Sequence, residues 1–414
     1  MTIIYTVMEN NIVKVLIKKG VTIPNPESVY ISSDVNPNRI SGENVTLYSG
    51  CKIVGKKSLI MKNSHIGYEA PVTIENTLVG ENTTLKGGFF KESVFAGDNS
   101  FGSGAHVREG TILEEQANAA HTVGLKQTIL FPFVTLGSLI NFCDCLMAGG
   151  TSRKDHSEVG SSFVHFNYTP NQDKATASMM GTVHDGVMLT CKPIFLGGQG
   201  GLVGPVRIGY GCITAAGSII RKNELKQDRM LLGGAFKEIS LPRQYAVYKN
   251  VSHIYNNNIY YIAGLVALKS WYKHIRPLFV YDEFSRALIK GMQDSLDTCI
   301  KERIHRLALF CEKLRLSKDI LVSQTKDKHS KLIMLHDQAM ESVNRAAPIF
   351  KTECDNETLP KTGEDFVQAV EKKISRTEKI YIQVIQSLAS DEIKKGRQWL
   401  FDIEQGMVEK LLIG

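Results

Sequence analysis

No run of apolar residues in this 414-residue chain is long enough to cross a bilayer, which excludes a membrane-spanning helix. The opening stretch from Met1 to Gly20 also lacks the charged start, unbroken apolar run and small-residue cleavage site of a secretory signal, so the expected compartment is the cytoplasm. Eight cysteines stand at positions 51, 143, 145, 191, 212, 299, 311 and 354 without the paired spacing of a zinc ribbon or a disulfide framework, and they are expected to be reduced. Cys143-Asp144-Cys145 offers half a metal site and no second pair, which favours two turn-flanking residues. A formal net charge of +7 is too modest for the concentrated basic face that nucleic acid requires. It suits small anions instead: a phosphorylated sugar, a nucleotide sugar or a coenzyme carrying pyrophosphate.

What the chain does have, from Ile40 to Arg221, is a rhythm. An aliphatic residue followed by Gly recurs at roughly six-residue intervals in Ile53-Val54-Gly55, His65-Ile66-Gly67, Leu78-Val79-Gly80, Phe95-Ala96-Gly97, Glu158-Val159-Gly160, Arg207-Ile208-Gly209 and Ala215-Ala216-Gly217. In a parallel β-helix each short strand pairs with the coils above and below it, so one inward aliphatic residue per flat face stacks into a continuous core. Gly supplies the positive φ that a chain turning this often needs. The repeat runs to about Glu224, roughly ten three-sided coils at eighteen residues each. Two stretches break it and are read as loops leaving the scaffold. One runs from Lys126 to Asp155, with Gly149-Gly150-Thr151-Ser152-Arg153-Lys154, and the other runs from Tyr168 to Met180.

Three segments follow: 1–39, in which Ile12 to Ile17 alternates like a strand or partial coil; 40–241, the β-helix; and 242–414, an α-helical bundle. After Leu241-Pro242 the Gly corners vanish and apolar residues recur at three and four. Leu288, Met292, Leu296, Ile300, Ile304, Leu307, Cys311 and Leu314 form one amphipathic stripe, and Trp399, Leu400, Ile403, Met407 and Leu411 form another. Thr362-Gly363-Glu364-Asp365 before Phe366 reads as a capped helix start. Part of the helical surface is expected to cap the open end of the solenoid.

The block from Leu202 to Arg221, with its Gly204, Gly209, Gly211 and Gly217 corners, resembles the closing coils of the left-handed β-helix acyltransferases. Val159 to Tyr168, ending in Asn167-Tyr168, and Ala119-Ala120-His121 ahead of it resemble more narrowly the acetyltransferase half of the bifunctional glucosamine-1-phosphate acetyltransferases that also make UDP-N-acetylglucosamine. The resemblance covers about residues 40 to 224. It implies a left-handed parallel β-helix of hexapeptide repeats followed by a C-terminal α-helical domain, a homotrimer with sites at the seams, and acetyl-CoA as co-substrate. The implied reaction is acyl-CoA-dependent N-acylation of an amino-sugar phosphate or nucleotide amino sugar. No Gly-rich nucleotide loop opens the chain, so pyrophosphorylase activity is not expected. The tyrosine that the family carries shortly after its His is absent here, the interval from His121 to Asn167 is longer, and Thr169-Pro170 stands where the family has Asp-Gly.

Acyl transfer from a thioester to an amine needs a neutral nitrogen, a base for its proton and donors for the oxyanion. The resemblance assigns the base to His121, since an imidazole is mostly unprotonated at neutral pH; a neighbouring carboxylate such as Glu158, which stands where the family has Asn, or a backbone carbonyl would hold its tautomer. The glycine corner Gly197-Gly198-Gln199-Gly200-Gly201, with Ala215, would admit the pantetheine arm or receive the oxyanion. Arg108, Arg153 and Lys174 are read as phosphate or carboxylate contacts, and Asn167 and Tyr168 as substrate- or cofactor-binding residues. Each has a plainer reading: His121 as a corner residue, Asn167 in an asparagine ladder, Arg153 as solvated charge. Two further functions stay open. His156, His165 and His184 would bind zinc if they converged, although no metal is assigned; and the solenoid would serve as a non-catalytic nucleotide-sugar-binding or assembly module if His121, Asn167 and the glycine corner pointed apart.

Overall fold

The computed structural model describes residues 11–234, 238–324, 330–375 and 379–414. Residues in the first half form a parallel β-solenoid of about 11 turns, and a helical region follows. Each coil contributes one short strand to each of three faces. Face I carries Lys52–Val54, Val72–Glu75, Gly88–Lys91 and Ala105–Val107; face II carries Leu59–Ile60, Leu78–Val79, Ser93–Phe95 and Thr111–Leu113; face III is a ten-stranded ladder from Thr46–Leu47 to Met230–Leu231. The register is regular: Ile53 sits over Ile74, Val79 over Phe95 and Ile66 over Leu85, and all of these side chains point inward and are buried.

The hexapeptide reading therefore holds, and its local breaks are narrower than expected. Gly124–Leu130 and Asn141–Met147 are long strands that bend from face I to face II and stay in the stack. Within the first irregular stretch, what leaves is a small antiparallel hairpin, Gly150–Ser152 against Asp155–His156. Ladder pairing also precedes Ile40, at Thr22 beside Thr46 and Tyr30–Ile31 beside Lys52 and Ile53. The alternating Ile12 to Ile17 segment is not a strand. It lies in helix α1, Asn11–Lys19, which buries Val13 and Leu16, spaced three apart.

The helical region comprises α3 (Val251–His274), α4 (Glu283–Gln324), α5 (Lys331–Asp355), α6 (Lys361–Ile374), α7 (Tyr381–Gln386) and α8 (Ser390–Leu411), besides a four-residue α2, Val183–Gly186, inside the solenoid. Its helix α6 opens at Lys361 behind Pro360 without a side-chain cap, so Thr362 lies within the first turn and does not cap it. Among the described residues the helices cover the flank of the stack. At 42 residues α4 is about 63 Å long, close to the roughly 53 Å of 11 coils, and it runs along face II. The sequence shows why. On face II both residues of each strand pair are apolar: Val94-Phe95, Ile112-Leu113, Ile129-Leu130 and Leu146-Met147 are all buried, the second of each pair by the solenoid interior and the first by helices.

Two buried charge clusters bridge this junction. Arg303 of α4 pairs with Asp144 at 2.9 Å, both nearly inaccessible. Arg276 grips Glu115 through both terminal nitrogens and lies 3.9 Å over the Tyr381 ring, while Tyr272 donates to Glu114 at 2.6 Å. Burial pushes the Glu114 carboxyl up to about 7; Arg276 pulls it back, Glu115 pushes it further, and the Tyr272 hydrogen bond favours the anion. Because the folded pKa lies above the unfolded one, the native state holds the extra proton. Glu114 thus contributes stability that is full below about pH 4.5 and lost as pH rises towards 7, up to about 3 kcal/mol. Buried His165, whose pKa burial lowers to about 4, works in the opposite sense across the same range. The Glu114 share is isolated by difference: Glu114→Gln should gain on wild type between pH 5 and pH 8 in urea unfolding, and a pH-independent difference would refute the assignment.

Candidate functional site

The three edges of the prism sort the sequence-derived site residues. The edge between faces III and I carries Ala120-His121-Thr122, and above it Gly137-Ser138, Gly160-Ser161, Gly197-Gly198 and Ala215-Ala216 in successive coils. Backbone bonds run up this column: Leu139 donates to the His121 carbonyl at 3.1 Å, Ser162 to Ser138 at 2.8 Å, Gln199 to Ser161 at 2.8 Å and Gly217 to Gly198 at 2.9 Å. Every corner turns through a left-handed residue: Thr122 (φ 60°), Leu139 (61°), Ser162 (63°), Gln199 (52°) and Gly217 (72°). His121 is exposed, and its Nδ1 lies 3.3 Å from the Thr122 hydroxyl. Gly198 is three rungs higher, about 14 Å.

The small residues above His121 are dictated by close stacking. A Cβ on Gly160 would meet Gly198 N at 2.4 Å, and one on Gly197 would meet the Thr214 carbonyl at 2.5 Å. The Gly197 to Gly201 stretch is thus a tight corner, and the same constraint leaves an edge bare of large side chains, along which a slender chain can approach backbone amides.

Glu158 does not orient His121. It stands outward on face III, two rungs above Asn118, because Asn118 pairs with Thr135 and Thr135 with Glu158; its recorded ionic neighbour is His156 at 3.9 Å. Arg153 is not solvated charge: its Nη1 donates to the carbonyls of Gln116 (3.1 Å) and Phe133 (2.7 Å) on the edge between faces II and III. That edge also holds the asparagine ladder, Asn44 to Asn63 to Asn82 to Asp98, linked at 3.0, 3.0 and 2.8 Å. Asn167 takes no part in it.

Asn167, Tyr168 and Lys174 belong to the third edge, between faces I and II, where residues 167–177 loop out between the strands Val164–Phe166 and Ser178–Met180. Asn167 donates to Asp144 at 3.1 Å, while Tyr168 (69% exposed) and Lys174 face solvent. Arg108 lies near this margin on face I beside Cys143, whose thiol is pushed up by burial and by Asp144. Within one chain, therefore, His121, Gly197, Gly198 and Ala215 share one margin of face I and Arg108, Asn167, Tyr168 and Lys174 approach the other, separated by the six-residue width of a side, at most about 20 Å. Arg153 and Glu158 lie elsewhere. Among the described residues the main contacts of the helical layer fall on face II.

The three histidines do not converge. His156 Nδ1 lies 2.9 Å from the Arg153 carbonyl; His165 points into the solenoid interior, between the Cys143 carbonyl (2.6 Å) and the Ser178 hydroxyl (2.8 Å); His184 of α2 pairs with Glu404 of α8 at 3.0 Å. Among the described residues no group of three or more His, Cys, Asp or Glu is arranged to hold a metal. Sequence reasoning overlooked the buried polar set of Asp144, Arg303, Asp173 and Tyr248; the only signal for it was two carboxylates in stretches otherwise destined for the core.

Fold and edge together define a hexapeptide-repeat parallel β-solenoid of the kind seen in the left-handed β-helix acetyltransferases. No family model matches the chain. Among curated proteins it is similar to the bifunctional protein GlmU of Thermotoga maritima, 30% identical over 209 residues, which is 50% of this chain and 41% of that protein. GlmU of Streptococcus thermophilus is 29% identical over 221 residues (52% and 42%), and that of Trichlorobacter lovleyi 25% over 209 residues (50% and 40%). The chain thus spans about two fifths of the length of these relatives. Among the described residues no helix is long and apolar enough to cross a membrane.

Proposed function

We propose that this chain is an acyl-CoA-dependent N-acyltransferase acting on the amine of an amino-sugar phosphate or nucleotide amino sugar, with acetyl-CoA as donor. The observation that carries the reading is the similarity to GlmU over 209 residues, close to the length of the solenoid. In the reaction the acceptor nitrogen attacks the thioester carbonyl, one amine proton passes to His121, the C–S bond breaks, and the departing sulfur takes that proton from His121 so that coenzyme A leaves as its thiol. In the tautomer whose Nδ1–H donates to the Thr122 hydroxyl, Nε2 is the free nitrogen and the base. The Gly197 to Gly201 corner, about 14 Å up the edge from His121, is too distant to receive the oxyanion, and the bare edge up to Ala215 is suited to the pantetheine arm.

The reading requires an assembly, since the two margins of face I lie too far apart to hold one small acceptor. The helices occupy face II, leaving faces I and III and the His121 edge for contact with other copies. A homotrimer of the 46.0 kDa chain whose seam apposes the His121 edge of one copy to the Asn167 margin of the next would complete the site. The separation within one chain favours the second reading, a non-catalytic nucleotide-sugar-binding or assembly module. Release of thiol from acetyl-CoA, followed with glucosamine-1-phosphate and with UDP-linked amino sugars, decides between them. Acceptor-dependent release supports the transferase; no release with any acceptor, or a monomer by sedimentation, supports the module.

A further inference from the structure

The loop at residues 167–177 is held both by its own bonds and by the helical layer. Within it Thr169 Oγ1 donates to Asp173 at 2.9 Å and accepts from the Asp173 amide at 3.3 Å, the Ala175 amide donates to the same carboxylate at 3.2 Å, Gln172 N donates to the Thr169 carbonyl at 2.9 Å, and Thr176 Oγ1 donates to the Asn167 carbonyl at 3.3 Å. Its other anchors come from elsewhere. The Tyr248 hydroxyl donates to Asp173 Oδ2 at 2.8 Å; Asn258 of α3 donates to the Ala175 carbonyl at 3.0 Å; Lys313 of α4 donates to the Asn171 carbonyl. At the base of the loop Asn167 bonds one oxygen of Asp144 while Arg303 of α4 pairs with the other. These anchors are buried, with Asp173 at 3%, Tyr248 at 6% and Arg303 at 2% exposure, yet Tyr168 at the rim of the same loop is 69% exposed.

We infer that the helical layer positions this loop, with Tyr248 and Arg303 as positioning residues that set how Asn167, Tyr168 and Lys174 are presented. At the regular corners of the stack the coils above and below fix the turn; here eleven residues leave the ladder, and coil-to-coil bonding gives way to bonds from α3, α4 and the segment before them. The consequence for acceptor binding rests on the transferase reading; the clamp itself does not. Its chemistry is a carboxylate on each side of the loop, one met by a phenol and the other by a guanidinium, so loosening either contact frees the loop without touching face I.

Hydrogen exchange on the full chain tests the clamp. Tyr248→Phe keeps the ring against Phe310, 5.2 Å between centroids, and deletes only the hydroxyl. Amides of residues 167–177 should exchange about tenfold faster, the effect of losing one hydrogen bond to a charged group, while the amides of faces I and III keep their protection. Arg303→Met should also free the loop through Asn167, together with a global loss of stability because it leaves the buried Asp144 carboxylate unpaired. If the wild type turns over, Tyr248→Phe should raise KM for glucosamine-1-phosphate about tenfold with KM for acetyl-CoA and kcat within twofold, a split that general destabilisation does not produce. Unchanged exchange in the loop of Tyr248→Phe, or faster exchange through the whole solenoid of that variant, overturns the inference. A wild type without turnover removes the transferase reading and leaves the clamp to be judged on exchange alone.

Discussion

His121→Ala is expected to lower kcat for thiol release by about 10²- to 10⁴-fold, the usual contribution of a positioned general base. The effect should fall on kcat more than on either KM, because the imidazole acts as the proton leaves nitrogen in the transition state and lies on an edge where small residues line the path for the donor. The variant should also fold normally. The side chain is exposed, its one recorded hydrogen bond is to the adjacent Thr122, and the corner is fixed by main-chain bonds from Thr122 to Ser103 and from Leu139 to His121 that alanine retains. A change in stability within about 0.5 kcal/mol is expected for such a surface position. Steady-state turnover with unfolding by urea on the same preparation checks both halves. Turnover within twofold of wild type would remove His121 as the base. Lost turnover with lost stability would reassign it to the corner.

The solenoid was legible because its rule is local. One aliphatic residue per face and one Gly or left-handed corner per turn recur whatever the rest of the chain does, and Ile53, Ile66, Val79 and Phe95 obey it. The helical stripe from Leu288 to Leu314 was legible for the same reason. Short segments carry less information: Ile12 to Ile17 alternates well enough for a strand, and only the three-residue spacing of the buried Val13 and Leu16 marks the helix. The side-by-side packing of helices on face II was also written in the sequence, as doubly apolar pairs such as Ile112-Leu113 and Ile129-Leu130, and the hexapeptide rhythm drew attention away from it. The site was legible only in part. His121 and Gly198 share an edge because the ladder puts them there, but the excursions at 148–156, 167–177 and 181–193 break the count from which a partner for His121 would be sought. Glu158 consequently looks close in sequence order and lies out on face III. The partners of Arg153 are main-chain carbonyls 20 and 37 residues away, which leave no trace in side-chain pattern. Arg303 is hidden for the opposite reason: it is a charge on the buried side of α4, and the carboxylate of Asp144 at 2.9 Å, with Glu302 at 3.9 Å, makes that position tolerable.

The largest loss of stability is expected from Glu115→Ala. Arg276 is 4% exposed, and burying a guanidinium is tolerable there because Glu115 neutralises it and Tyr381 stacks on it. Removing one partner of such a pair leaves an uncompensated charge and costs about 3–5 kcal/mol. Glu114 gives this loss a pH dependence that distinguishes it from simple cavity formation. In the wild type, burial and the neighbouring Glu115 charge help to keep Glu114 protonated to about pH 7. Without Glu115 that repulsion disappears and Arg276 is left seeking an anion, so the Glu114 pKa falls and the adjacent carboxylate takes over part of the pairing. The penalty should accordingly be greatest near pH 5, where Glu114 is still largely neutral, and smaller at pH 8, where it is ionised. Measured against Glu114→Gln alone, the double replacement Glu114→Gln with Glu115→Ala should show no such recovery and carry a penalty equally large at both pH values. Unfolding by urea at pH 5 and pH 8 measures wild type and the three variants on one scale. Equal losses for the single variant at the two pH values would show that Arg276 draws nothing from Glu114, and that the junction between solenoid and helices rests on its apolar contacts alone.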